Sequence, residues 1–279
     1  MTYVLFDIGG TKTRVTISED LETFADVDSF KTPVKFEDGM DKMCASIKQL
    51  TDKKITAIAG GIRGLLTEEK DGIQNDAILT KWVGKNVVKK LQALGDVPVF
   101  LENDTAIAGV GEALFGAGRE SEIVAYHTIS TGVGGVKVEN GEIDHASTGF
   151  EPGHQILDID RTILGEEITP TLENLVSGTA LGERFGTKAY EIPQSDVVWD
   201  ELAEYLAQGL RNTILYWSPD VIVLGGAMIV GNPAISVDAV RKYTVEAIDG
   251  FVETPPIAKA ELGDHAGLFG AMAILKQRL

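Results

Sequence analysis

One local pattern occurs twice in this chain of 279 residues and restricts its fold more than any other feature. Residues 4–14 and 126–137 each read as an apolar run, a turn dense in glycine with threonine or serine, and a second run. Beyond the turns, Val15 and Ile17 alternate with Arg14, Thr16 and Ser18, and Val136 and Val138 alternate with Lys137 and Glu139. A period of two means that the chain leaves each turn as a strand. A Walker loop or a dinucleotide fingerprint would leave as a helix. A glycine hairpin can turn backbone N–H groups toward an anion, so two of them can hold a polyphosphate from both sides. The candidate contacts are Gly9, Gly10, Thr11, Lys12 and Thr13 in the first copy, and Thr131, Gly132 and Gly134 in the second. For one hairpin alone, a need for positive φ would explain the glycines. It is the pair that points to a ligand.

A chain of this length makes one large domain or two ordinary ones, and the duplication favours two. We expect a smaller N-terminal lobe over 1–117 and a larger C-terminal lobe over 118–279, with a hinge near Gly116 to Gly118. The last helix, about 266–279, is expected to pack back on the first lobe. Hydrophobic residues at 44% and charged residues at 24% fit an ordinary globular protein. The charge, 25 minus 42 or −17, repels nucleic acid and anionic lipid, so neither is an expected partner. Cys44 is the single cysteine and makes neither an internal disulfide nor a zinc cluster. The chain opens on a strand without a leader, and no apolar stretch approaches the roughly 18 residues of a membrane span, so a cytoplasmic location is expected.

Strands and helices alternate, which predicts an α/β architecture. Helices are expected over 38–50, around 83–94, from 104 to 116, and over 172–185, 196–217, 235–248 and 266–277. Strands are expected over 55–59, 97–101 and 221–224, with residues 31–35 and 141–171 as loops. The strand over 55–59 runs into Gly60, Gly61, Ile62, Arg63 and Gly64, a glycine-marked exit where a ligand can approach the backbone, at Gly61 in particular.

Candidate chemistry gathers at strand ends, where open α/β sheets bind ligands. Asp104 ends one strand and is placed to accept a hydroxyl proton, with Asn103 orienting that hydroxyl. Asp at this position also serves as a helix N-cap, and the two roles can coexist. Asp7, beside the first glycine turn, suits a direct or water-mediated Mg²⁺ contact, or a turn-forming role through nearby N–H groups. Glu151 and His154, in the loop-rich stretch, can hydrogen-bond hydroxyls or be solvated loop residues. Glu173 opens a helix, where an acid is favoured by the macrodipole in any case.

Taken together, these motifs resemble the ROK family of sugar kinases and repressors, within the actin-like, hexokinase-type ATPase superfamily. The residues that carry the resemblance are Asp7 to Lys12, Glu102 to Asp104, Thr128 to Gly135, Glu151 to His154, Ser218 to Gly226 and Leu262 to Gly270, in the family's order. The resemblance implies a two-lobed, actin-like (ribonuclease H-like) α/β fold with duplicated hairpin phosphate loops, closing over its substrate. It implies ATP with Mg²⁺, and a hexose as acceptor. Asp104 would be the general base toward the sugar's 6-hydroxyl. Asn103, Glu151, His154 and Glu173 would bind the sugar, and Gly225 and Gly226 would border the nucleotide. Glucose is the leading acceptor, with N-acetylhexosamine, mannose or fructose as alternatives, and a sugar-sensing regulator as a different class of function. A homodimer is expected by analogy. Many members hold a structural zinc in a cysteine-rich loop, whereas residues 155–172 contain no cysteine, so no zinc is expected. The glycine exit at 60–64 also lacks the family's common proline.

Overall fold

The run that opens the chain forms β1 (Tyr3–Ile8), buried along almost its whole length, and the glycine turn returns it as β2 (Lys12–Ser18). The computed structural model describes every residue except Ser147 and Thr148; these fall in the stretch 141–171 read as loop, and that part of the expectation lies outside the described residues. The short strand β3 (Asp28–Lys31) follows, then helix α1 (Phe36–Leu50) and strand β4 (Ala57–Ile62). A small ribbon of β5 (Leu65–Leu66) and β6 (Ile73–Asn75), helix α2 (Val87–Gln92), strand β7 (Val99–Asn103) and helix α3 (Asp104–Phe115) complete the first stretch.

The second copy of the pattern forms β8 (Ile123–Ile129) and β9 (Val133–Glu139), followed by β10 (Glu142–Ile143). A short 3₁₀ turn (Pro152–His154) precedes helices α4 (Leu172–Val176), α5 (Gly178–Phe185) and α6 (Val198–Trp217). Strand β11 (Val221–Gly225), helices α7 (Ala227–Val230) and α8 (Val237–Ile248), strand β12 (Ile257–Lys259) and helix α9 (Ala266–Arg278) close the chain.

Two units form, one of Met1–Leu114 with Asp264–Leu279, the other of Phe115–Gly263. The first holds a five-stranded sheet in the order β3-β2-β1-β4-β7, the second one in the order β10-β9-β8-β11-β12. In each, the hairpin and its outer strand are antiparallel and the strands on the other side run parallel. The repeated sequence pattern is therefore a repeated sheet. In the first unit Val4, Phe6 and Ile8 of β1 share a core with Phe36, Met40, Met43 and Ile47 of α1. Helix α9 covers the sheet with nine buried residues, among them Leu268, Met272 and Leu275.

Several boundaries differ from the sequence expectation for local physical reasons. The strand expected over 55–59 runs on to Ile62, because Gly60 and Gly61 lie inside it: a Cβ on Gly60 would fall 2.3 Å from the Phe6 ring, and one on Gly61 2.6 Å from Ile107. Close packing, not a turn, requires glycine there. The helix expected over 172–185 is two helices, broken where Ser177 adopts an extended conformation and its hydroxyl accepts the Ala180 N–H. Only Val87–Gln92 of the expected 83–94 is helical; Val83 instead forms a β-bridge with Ile73. The stretch 28–31, read as no strand, pairs with β2 at the sheet edge.

Candidate functional site

Each unit carries its own constellation. In the first, the turn between β1 and β2 is closed by Gly9 N–H donating to the Lys12 carbonyl at 3.0 Å and braced from behind by Thr32. The Thr32 hydroxyl donates to the Gly9 carbonyl at 2.7 Å and is 3.0 Å from the Thr13 hydroxyl. Thr13 is thus buried behind the turn, while Gly9, Gly10, Thr11 and Lys12 keep solvent-accessible surface.

Asp7 is directly opposite Arg14 in the hairpin register, and their side chains approach to 3.5 Å. Arg14 also bonds Asp264, which Lys12 meets at 3.8 Å. The start of α9 passes over the same acid: a Cβ on Gly267 would be 3.1 Å from the Asp7 carboxyl carbon. Burial, then the charge of Asp104, raise the Asp7 carboxyl from 3.8 to about 7, with Arg14 pulling it down and Asp264 adding to the rise.

Asp104 begins α3 at the carboxyl end of β7. The N-cap considered for it belongs to Asn103, whose Oδ1 accepts the Thr105 and Ala106 N–H groups at 2.9 and 3.1 Å. Asn103 Nδ2 donates to the Gly64 carbonyl at 3.1 Å, which uses one of its two hydrogens. Asp104 accepts the Thr105 N–H at 2.8 Å through Oδ1. Burial lifts its carboxyl to about 6, against the opposing pull of Arg63 and of that N–H. Gly61 lets this residue sit close, since a Cβ there would lie 3.0 Å from the Asp104 Cα. A carboxylate near the top of its range and open on one oxygen is suited to take a proton near neutral pH.

In the second unit the turn 130–132 is closed by Ser130 N–H donating to the Gly132 carbonyl at 2.8 Å. Glu173 reaches this turn from the first turn of α4: its Oε2 accepts the Val133 N–H at 2.8 Å and would be 2.5 Å from a Cβ on Gly132. The segment 151–154 lies on β9 because neither Gly135 nor Gly153 has a side chain to keep it away: a Cβ on the first would meet Pro152 at 2.6 Å, and one on the second the Val133 carbonyl at 2.2 Å. The structure thereby brings Glu151, His154 and Glu173 into one electrostatic neighbourhood. Burial of the carboxyl end of Glu151, in a residue otherwise open to solvent, and the charge of Glu173 raise its proton affinity, while His154 lowers it.

Beyond His154 the chain is pinned by hydrogen bonds. Asp158, 2% exposed, accepts the Leu164 N–H at 2.7 Å and the Ile163 N–H at 3.2 Å. Leu157 N–H donates to the Pro170 carbonyl at 2.9 Å, and Gln155 Oε1 accepts from Asn212 at 2.6 Å. Residues 155–172 contain neither cysteine nor histidine. Among the described residues, no three His, Cys, Asp or Glu side chains are grouped to hold a metal ion.

Gly225 and Gly226 end β11 against β8: a Cβ on Gly225 would meet the Tyr126 hydroxyl at 2.5 Å, and one on Gly226, which has φ +85°, would meet the Ile129 carbonyl at 2.3 Å. The second unit also holds a cavity of about 710 Å³, lined by Ser130, Thr131, Thr179, Tyr190, Ala227 and Met228 among others. His127, to which the sequence assigned no role, is fully buried, bonded to Thr213 at 3.0 Å and stacked on Trp217 at 5.5 Å; burial lowers it to about 4, so it is neutral. Sequence reasoning missed Arg14, Thr32, Asp158 and Asp264 as supports. Arg14 alone carried a signal, its place across the hairpin from Asp7.

Two sheets, each with a glycine hairpin on one side and parallel strands on the other, define a fold of the actin-like ATPase class. The chain belongs to the ROK family, whose model matches residues 3–278. It is similar to the ROK hexokinase of Thermus thermophilus, at 26% identity and a TM-score of 0.82 over 100% of this chain and 99% of that one. A ROK family glucokinase from Streptomyces griseus, in complex with glucose and AMPPNP, shares the fold at 23% identity and a TM-score of 0.81, over 99% of this chain and all of that one. A fructokinase of Lactococcus lactis subsp. cremoris is 27% identical over 262 residues, which is 91% of this chain and 87% of that protein. All three are sugar kinases by name.

Proposed function

We propose that this protein is a hexose kinase that transfers the γ-phosphoryl group of ATP to a sugar hydroxyl, with the 6-hydroxyl of glucose as leading acceptor. The observation that carries the reading is Asp104, a carboxyl at the end of a parallel strand beside a glycine hairpin, with its proton affinity raised to about 6. Asp104 accepts the hydroxyl proton, the sugar oxygen bonds to the γ-phosphorus, and the bridging bond breaks with its electron pair leaving on ADP. Phosphoryl transfer asks for positioning and charge neutralisation more than for covalent help.

In the first unit, Gly9, Gly10, Thr11 and Lys12 hold phosphate oxygens, Thr13 supports the turn from behind, and the free hydrogen of Asn103 Nδ2 orients the hydroxyl beside Gly61. In the second, Thr131, Gly132 and Gly134 serve phosphate, the 710 Å³ cavity next to Gly225 and Gly226 takes the nucleoside, and Glu151, His154 and Glu173 bind sugar hydroxyls. Asp7, a buried acid beside the first glycine turn and within the charge field of Asp104, would hold Mg²⁺ through the nucleotide. A bound divalent ion supplies neutralisation of the phosphate charge. A homodimer is the expected assembly, by analogy with the family, and the cytoplasm, where ATP and hexoses meet, the expected compartment.

Fructose is the second reading, favoured by the Lactococcus relative's name. Coupled ADP release across glucose, fructose, mannose and N-acetylhexosamines decides between them. Asp104→Ala is expected to lower kcat at least about 10³-fold with the best sugar, since it removes the base itself. Near-native turnover in that variant would refute the assignment of the base.

A further inference from the structure

We infer that Arg63 is a catalytic residue of the phosphoryl transfer, its guanidinium meeting the oxygens of the transferred group over the turn of the first hairpin. This rests on the kinase reading and adds a residue to it.

Topology places Arg63 at the reacting edge of the sheet. Strand β4 lies between β1 and β7, and its last residue, Ile62, pairs with Ile8 on one side and Asn103 on the other. Arg63 is the next residue, and its N–H donates to the Ile8 carbonyl at 3.0 Å. It therefore leaves the sheet between the glycine turn that follows Ile8 and the candidate base that follows Asn103.

The side chain then turns toward the hairpin. Arg63 Cδ and Nη1 lie 3.0 and 3.3 Å from where a Cβ on Gly10 would stand, so the guanidinium covers the open face of that glycine. Nε donates to Asp76 at 2.8 Å, and Asp76, 3% exposed, is itself fixed by the Ile78 N–H at 2.7 Å and by the Leu79 N–H. The anchor uses the Nε edge only. Neither Nη group donates to any described residue, and the Arg63 side chain keeps 29% of its surface open. A planar guanidinium held by one edge, with its terminal donors free, is the geometry that binds two phosphoryl oxygens at once. Arg63 pairs with Asp76 and its charge acts on Asp104, so the guanidinium offsets carboxylate charge on both. Arg63 is also the foremost charge acting to keep Asp104 ionised.

In the transfer, Arg63 stays protonated and exchanges no proton. The new bond joins the sugar oxygen to phosphorus, the bond to ADP breaks, the proton goes to Asp104, and the guanidinium neutralises the three equatorial oxygens as charge spreads over them. The bland role for Arg63, a folding contact with Asp76, predicts loss of stability without a selective loss of rate.

The test measures the best hexose with ATP for wild type, Arg63→Lys, Arg63→Gln and Arg63→Ala, with thermal unfolding of each. Arg63→Gln is expected to lose about 10²–10³-fold in kcat with the hexose KM within about 3-fold. Its acidic limb in kcat/KM is expected to move to higher pH, because a positive charge beside Asp104 is gone. Guanidinium ion at millimolar concentration is expected to restore part of the Arg63→Ala rate. Arg63→Lys, which keeps the charge on a different head, is expected to fold and to lose about 10-fold. A kcat in Arg63→Gln within about 3-fold of wild type, or rates in Arg63→Lys and Arg63→Ala that fall only with their melting temperatures and ignore guanidinium, overturns the inference while the kinase reading stands. A wild type that releases no ADP with any hexose overturns both.

Discussion

Asp7→Asn is expected to make the unliganded protein more stable above neutral pH while reducing its activity. Burial and the neighbouring acids raise the Asp7 carboxyl from 3.8 to about 7 in the folded state. A proton held more tightly folded than unfolded favours the fold fully below the ordinary value, and the advantage is lost as pH rises through the folded value. Integrating those two constants between about pH 5.5 and about pH 8 gives a loss of about 2 kcal/mol from this one group. Asparagine cannot ionise, so the variant lacks that slope. The interval between the variant's melting temperature and that of wild type should widen by about 4–8 °C from the lower to the higher pH. Thermal unfolding at both pH values, without nucleotide or divalent ion, measures it. An interval between the two melting temperatures that is the same at both pH values would refute the claim that a buried carboxyl, only partly offset by Arg14, is held beside the first hairpin.

Two further outcomes follow from the second unit. Asp158→Ala removes the acceptor of the Ile163 and Leu164 N–H groups from a buried position and is expected to cost about 1–3 kcal/mol, read by urea unfolding and by new protease cuts within 155–171; an unchanged midpoint and digestion pattern would contradict it. Gly132→Ala places a methyl 2.5 Å from Glu173 Oε2, so the carboxylate must leave the Val133 N–H, and KM values should rise several-fold with little change in melting temperature; unaltered KM values would show that the contact has no part in binding.

The duplicated hairpin and the helices with long apolar periods were legible because their signals are local. α1 and α6 begin within two residues of their expected starts, since amphipathic spacing over three or more turns outweighs capping detail. Strand ends were harder to read. Gly60 and Gly61 look like punctuation in sequence, yet here they let Phe6 and α3 approach the sheet, and nothing local distinguishes the two. The break at Ser177 depends on a hydroxyl choosing the Ala180 N–H, and the edge strand at 28–31 alternates in burial but carries a single apolar residue, Phe30, too few to show a period in sequence. The acids and hairpins were readable as types at strand ends. Their support was not: Arg14 meets Asp264 from 250 positions away, and Arg63 meets Asp76 from a separate ribbon. Such pairs depend on topology, which composition and periodicity do not encode.

Helix α9 lies against β1 and β4, strands translated long before it, and it crosses α3 so tightly that Gly270 and Gly111 have backbone atoms where a methyl group would sit. During synthesis, the portion 115–263 emerges with all its strands before the earlier sheet receives its cover. The sheet of the first unit must therefore wait, its apolar face bare, until residues 266–278 clear the ribosome exit tunnel, and nascent chains of this protein should engage holdase chaperones through that sheet.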